Sequence, residues 1–364
     1  MTQIDVLMSV YNCEKHIEDT VKSIQSQTLS DIRIIIVDDG STDKTGEIIQ
    51  ALASKDSRIE YHRQNNAGIV SALNNGLQYC TSPYIARHDG DDISYPDRFQ
   101  KELDYLEANP NCVAVSGSVR NVYAFENNSL KVPAYFHPDR FNPYSIPPQE
   151  PHISQPMLML RKSALLECGG YRNFDYAEDA DLYWGLKNIG QLHSLNEILG
   201  DYRIHSHSIS SQSKSRAVYA AIWSVLGALS EQRRIQGKID IHISNELRNT
   251  IKETKKLSEI EANISPFLEQ SEMAWFVAAV CAKYLAICRT RKIETGSARY
   301  PFLQIYNYRN NNETITAYIT FALLEKGLIR GIRYMLDSRN VALSGRAFIR
   351  YVKQTFLGQN KKNR

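Results

Sequence analysis

Long apolar runs, paired cysteines and internal repeats are all missing from this sequence of 364 residues. A helix needs about 20 mostly apolar residues to cross a bilayer. The most apolar helical stretch, Ala274–Ile287, is shorter than that and is interrupted by Lys283, so no spanning helix is expected. Residues 1–12 show no basic stretch followed by an apolar run, so no secretory signal is expected there. The six cysteines (13, 80, 112, 168, 281 and 288) include no CxxC pair and no clustering with histidine. That excludes a zinc ribbon and a disulfide scaffold, and the cysteines read as small buried residues of a reducing compartment. No repeat of fixed period occurs, and low complexity is confined to Gln359–Arg364. What remains is a globular chain, cytoplasmic or held at the inner face of the cell membrane.

The length allows a full α/β core with a smaller second domain beside it. The net charge of +3 conceals a split. Residues 1–210 hold 18 Lys/Arg against 28 Asp/Glu, a balance of −10, so the remaining 154 hold 25 against 12. Such asymmetry suggests separate partners for the two halves, with the basic one suited to anionic surfaces.

The first 115 residues alternate strand and helix patterns as a parallel α/β fold requires. Strands are expected at Ile4–Val10, Ile32–Val37, Ile59–His62, Pro83–Arg87 and Cys112–Ser116. Between them lie helices over Glu14–Gln27, up to Ala53 and over Ile69–Tyr79, and one opened by Pro96. Ile32–Val37 is apolar at nearly every position, as befits a strand covered on both faces. In doubly wound folds ligands sit beyond the carboxyl ends of the strands. Two acidic clusters fall there: Asp38-Asp39 and Asp89-Gly90-Asp91-Asp92.

From Ala124 to Ser154 no period is visible, and a long loop or lid is expected. Regular structure resumes with the strand Met157–Arg161, a helix from Ser163 to the Gly169-Gly170 stop, a helix over Glu178–Asn188, and extended chain over Gln191–His205. Beyond Ser210 the pattern is helical, with one apolar stripe of Tyr219, Ile222, Trp223, Leu226 and Leu229. Two basic amphipathic helices close the chain, the first with Leu324, Leu328, Ile332 and Met335 on one face, the second with Phe348, Ile349, Val352 and Phe356.

Three carboxylates in the four residues Asp89–Asp92 repel one another unless a cation sits among them, and oxygen ligands suit hard divalent ions. The plainer reading is an acidic turn capping the following helix. At Asp38–Asp43 capping by Ser41 to Asp43 leaves Asp39 free to accept from a base N–H. Glu178-Asp179 opens a helix, whose dipole keeps carboxylates ionised and able to act as bases; simple charge complementation is the alternative. His205 and His207 follow a strand; either is a structural hydrogen-bonder or a ligand to metal or pyrophosphate.

Taken in order, Ser9-Val10-Tyr11-Asn12, Val37–Asp43, Asn66-Ala67-Gly68, Arg87–Asp92, Gly169-Gly170-Tyr171 and Glu178–Leu182 resemble glycosyltransferase family 2 over residues 4 to about 210. The resemblance implies a GT-A fold: a Rossmann-like, doubly wound catalytic domain with a mixed sheet (1–210), here followed by a mainly α-helical region (211–364). It implies an inverting enzyme of bacterial surface-polysaccharide synthesis. The sugar would leave a nucleoside diphosphate, with UDP the expected nucleotide, for a hydroxyl of a glycan or lipid-linked acceptor. Ser9, Tyr11, Asp38, Asp39, Asn66 and Asp89 match nucleotide contacts. Asp91 matches the principal ligand of Mn2+ or Mg2+, with Asp89 nearer the ribose and His205 completing coordination. Asp179 matches the general base, with Glu178 and Gln155 on the acceptor side. The QxxRW motif of processive members is absent, which points to single addition.

A polyprenyl-phosphate sugar transferase would share the fold but need no hydroxyl base, and Asp179 argues against it. A pyrophosphorylase would need a glycine-rich basic loop that residues 9–16 lack. A nucleotide-sugar-binding module with a relic site would be expected to lack one carboxylate cluster, and neither is missing. The basic closing helices suit an anionic membrane surface or a homo-oligomer contact; the acidic catalytic half would repel nucleic acid.

Overall fold

The computed structural model describes residues 2–125, 128–205 and 214–290. The chain divides into two compact units, residues 1–141 with 150–211, and residues 142–149 with 212–364.

The first unit is built on a nine-stranded sheet. Its strands are β1 (Ile4–Val10), β2 (Ile32–Asp38), β3 (Ile59–Arg63), β4 (Tyr84–Asp89), β5 (Ile93–Ser94), β6 (Cys112–Phe125), β7 (Asn128–Ala134), β8 (Leu158–Arg161) and β9 (Gln191–Ile204). They lie in the order β3-β2-β1-β4-β8-β6-β9-β5, with β7 paired to β6. β1 to β4 run parallel, and β8 slots antiparallel between β4 and β6, making the sheet mixed. Helices α1 (Ile17–Gln25), α2 (Thr45–Ala53), α3 (Ile69–Leu77), α4 (Arg98–Ala108), α5 (Lys162–Glu167) and α6 (Glu178–Ile189) cover its faces.

Pleating sends successive side chains to opposite faces. Val6 and Met8 of β1, with Ile34 and Ile36 of β2, join Ile17, Val21, Ile24 and Phe99 in one core. Leu7 and Ile35 join Leu73, Leu160, Leu182 and Tyr183 in the other. This two-sided burial is why β1 and β2 read as nearly continuous apolar runs.

Two expectations are corrected here. The first helix begins at Ile17 rather than Glu14: residues 14–16 form a turn in which His16 N–H (2.9 Å) and Ile17 N–H (3.0 Å) both donate to Cys13 O, while Cys13 N–H donates to Thr45 Oγ1 (2.8 Å) and Glu14 N–H to Asp43 Oδ2 (3.1 Å). The segment expected as a loop from Ala124 begins instead with a hairpin, β6 running to Phe125 and β7 returning from Phe125↔Asn128 to Val119↔Ala134. A backbone ladder makes this pairing, so it leaves little trace in hydropathy.

The second unit contains α7 (Lys214–Ile235), α8 (Asn245–Glu253), α9 (Ile260–Ile264) and α10 (Gln270–Thr290). α7 is buried almost all round, with Ser224, Ser230 and Gln232 covered as well as Ile222, Trp223, Leu226 and Leu229. A single stripe was therefore too narrow a description. Arg233 grips Glu272 through two bonds of 2.8 and 2.7 Å, joining α7 to α10. α10 is longer than its sequence pattern suggested. Its Gln270–Cys288 stretch (19 residues) is long and apolar enough to cross a membrane, and 56% of that stretch is buried inside the protein. The segment 142–149 belongs to this unit too: Gln232 Nε2 donates to Pro143 O (2.7 Å), Trp275 Nε1 to Tyr144 O (3.2 Å), and Ile146 packs on Ala278 and Ala282. His207 and the two closing basic helices lie outside the described residues.

Candidate functional site

The carboxyl ends of β1, β2 and β4 lie side by side, with Ser9 in register with both Val37 and Asp89. The loops after β1 and β2 interlock. Asn12 N–H donates to Ser41 Oγ (3.0 Å) and Thr42 N–H donates to Asn12 Oδ1 (2.8 Å). Asn12 takes a left-handed backbone (φ 50°), which Asn tolerates better than most residues. Gly40 also has positive φ (77°), and a Cβ there would meet Asn66 N at 2.8 Å. Only glycine lets the two turns approach this closely.

Asp38 and Asp39 differ from expectation. Asp38 is fully buried; Oδ1 accepts from Ser41 N–H (2.7 Å) and Oδ2 from the Tyr61 hydroxyl (2.8 Å). Both oxygens of this carboxylate are thus taken by protein donors. Asp39 is not free either: Oδ1 accepts from Gln64 Nε2 and Ala67 N–H, Oδ2 from Gly68 N–H, all at 2.8 Å. It shapes the turn that presents Asn66, which is exposed. Tyr11 is 51% exposed at the mouth of β1.

The turn after β4 is held from behind by buried cations. Arg98 donates to Arg87 O (2.9 Å), Ser94 Oγ (2.9 Å) and Glu102. His88 bridges Asp89 O (2.7 Å) and Ser94 Oγ (2.9 Å), and burial lowers its pKa to about 3, so the ring is neutral. Burial pushes the Glu102 carboxyl up to about 7 despite Arg98. Arg87, buried, donates to His88 O and to Asp89 Oδ1 (2.6 Å).

Of the three acids on this turn, Asp89 and Asp91 are partly exposed and Asp92 is buried. Burial raises the Asp89 pKa, the neighbouring Arg87 opposes the rise, and the Asp91 and Asp179 charges add to it. Asp92 is raised further, by burial and then by Asp91 and Asp89. Asp91 Oδ2 lies 2.9 Å from His205 Nε2, and His205 stacks on His16 with ring centroids 4.8 Å apart.

Glu178 and Asp179 occupy the first turn of α6, where the helix dipole favours negative charge. Loss of solvent and the Asp179 charge push Glu178 up to about 8, with Arg87 opposing. The entry to α6 is fixed by Tyr171, whose N–H and C=O both bond the Asn74 amide (3.0 and 2.7 Å). Gln155 accepts from the Tyr183 hydroxyl at 3.0 Å. Asp89, Asp91, Asp179, Glu178 and His205 thus lie near one another and near Arg87, with Ser9 in register with Asp89. Asp38 and Asp39 serve as framework.

The sequence gives no role to Arg87, Tyr171 or His16, and counts Asp92 only as one of three clustered carboxylates. Arg87, Asp92 and Tyr171 lie inside motifs already quoted, but their burial could not be read from one chain. Among the described residues, no three His, Cys, Asp or Glu side chains converge as a ready-made metal site.

Residues 5–169 match the family described as Glycosyl transferase family 2. A Haemophilus influenzae protein described as an uncharacterized glycosyltransferase is 28% identical over 221 residues, covering 57% of this chain and 67% of that protein. The amylovoran biosynthesis glycosyltransferase AmsE of Erwinia amylovora is 29% identical over 191 residues, covering 51% and 70%. Two Bacillus subtilis relatives are spanned for only 31% and 38% of their length. Among solved structures, S. aureus TarS 1-349 in complex with UDP superposes with a TM-score of 0.50 at 12% identity, covering 91% of this chain and 88% of that one; the fold is GT-A.

Proposed function

Because residues 5–169 belong to glycosyl transferase family 2, we propose that this chain moves a sugar, with inversion, from a nucleoside diphosphate to a hydroxyl of a glycan or lipid-linked acceptor in surface-polysaccharide synthesis. One observation carries the reading: at the turn after β4, Asp91 Oδ2 lies 2.9 Å from His205 Nε2, and Ser9 of β1 stands in register with Asp89. The base assigned to α6, Asp179, is near enough for its charge to raise the Asp89 pKa. UDP is the nucleotide to test first, since TarS, which has the same fold, was solved with it.

The donor chemistry, two carboxylates and an imidazole, suits a hard divalent ion. Asp91 and His205 meet at 2.9 Å while Asp89 is bonded to Arg87, so Asp91, His205 and Asp89 would hold Mn2+ or Mg2+ only by turning toward a shared point. Such an ion neutralises charge on the departing diphosphate. Ser9 and Tyr11 line the nucleotide side. Asp179 takes the proton of the attacking hydroxyl, while Glu178, protonated at neutral pH by its raised pKa, adds no second negative charge there. Gln155, set by Tyr183, lies on the acceptor side.

The test is a panel of nucleotide sugars incubated with the chain and Mn2+ or Mg2+. Release of nucleoside diphosphate from one of them, stopped by EDTA, supports transfer; tight binding without release from any would leave a binding module. The ten Lys/Arg against two acids in Glu325–Arg364 support attachment to an anionic inner membrane face, each cation adding roughly 1 kcal/mol. Co-sedimentation with anionic but not neutral liposomes is expected, and a chain that stays soluble with both favours packing or a homo-oligomer.

A further inference from the structure

We propose that Asp92 is a positioning residue: it latches the carboxyl end of β9 to the acidic turn and thereby holds His205 against Asp91. The two segments zip together over a short distance. β5 pairs with β9 at Ile93↔Asp201 and Ser94↔Gly200, and Tyr95 N–H donates to Leu199 O at 2.8 Å. The Tyr95 hydroxyl donates to Asp201 Oδ1 (2.7 Å), which Arg120 also grips at 2.7 and 2.9 Å. Beyond Ile93 the ladder has no strand left to continue it. There the Asp92 side chain replaces a strand carbonyl, Oδ1 accepting the Arg203 N–H at 2.8 Å. His205 follows two residues later, where it meets Asp91. Asp92 has no solvent exposure, and its Oδ2 is buried without a partner among the described residues. It therefore has no route to a ligand of its own. Its carboxyl is buried next to two more acids, a cost that the latch offsets by fixing where β9 ends.

Groups that orient a metal ligand typically change ion affinity by about 10–100-fold. The inference rests on the donor-site reading only for the ion; the ladder is independent of it. The experiment compares wild type, Asp92→Leu, Asp92→Asn, His205→Ala and the Asp92→Leu/His205→Ala pair. Free Mn2+ is followed by paramagnetic resonance with UDP present, and amide exchange by mass spectrometry over residues 198–205. Asp92→Leu should speed exchange there and weaken Mn2+ binding by about 10–100-fold. Asp92→Asn, which keeps an oxygen for Arg203, should restore most of both. Once His205 is alanine, Asp92→Leu should cost Mn2+ affinity nothing further. Additive losses in the pair, or wild-type exchange and affinity in Asp92→Leu, would overturn the latch. If wild type takes up no Mn2+ with UDP, the donor reading fails, and exchange alone decides the latch. Should Asp92→Leu not fold, Asp92→Ser replaces it in both measurements.

Discussion

At the end of β2, Asp38 and Asp39 are surrounded by donors: a tyrosine hydroxyl, a glutamine amide and three backbone N–H groups. At the end of β4, Asp89 and Asp92 are crowded by burial and then by neighbouring carboxylates, Asp91 and Asp179 for the first, Asp91 and Asp89 for the second, and their pKa values rise. The same residue type at equivalent strand ends does opposite work. Satisfied carboxylates hold loops in place. Carboxylates left in mutual repulsion carry free energy that a cation or a proton can release, and that is where chemistry belongs.

The largest effect expected from this contrast is at Asp91. Asp91→Asn should abolish metal-dependent release of nucleoside diphosphate while shifting stability by no more than about 0.5 kcal/mol, as for most partly exposed positions; full activity would break the contrast at once. Asp179→Asn should lower turnover by about 10²–10⁴ with donor affinity unchanged, and a loss of donor binding at unchanged turnover would make it a binding residue. Asp38→Ala reverses the pattern. Leaving the buried Ser41 N–H unpaired should cost about 1–3 kcal/mol in denaturant unfolding, with release per folded molecule unaltered. If instead release fails while stability holds, Asp38 belongs to the site.

Glu178 gives the subtlest test. Its folded pKa of about 8 lies above its ordinary 4.5, so the folded state binds more protons between those values. Stability therefore falls as pH rises through that window. Glu178→Gln should remove this slope and gain on wild type from pH 5 to 8 in thermal melts. His88, lowered to about 3, slopes the other way: its contribution is present above pH 6.5 and is lost on acidification below it.

The central strands were legible because burial on both faces writes an apolar run that little else produces. β5, two residues long, and the β6–β7 hairpin write nothing comparable. The acidic clusters were legible as clusters, and Asp91 meets His205 across 114 positions of sequence. The roles of Asp38 and Asp39 were not, because Tyr61, Gln64, Ala67 and Gly68 approach them from more than 20 positions away. Hydrogen-bond satisfaction is a tertiary property, and one chain of letters does not carry it.

The strap 142–149 means that the chain passes between its two units three times rather than once. The helical unit is therefore discontinuous in sequence. Ending the chain after residue 211 would strip the helices from Ile146 and leave the carbonyls of Pro143 and Tyr144 without their donors. Transplanting the helical unit between relatives would require three splice junctions, and a library that shuffles at the single obvious boundary near residue 210 would be enriched in chains that aggregate.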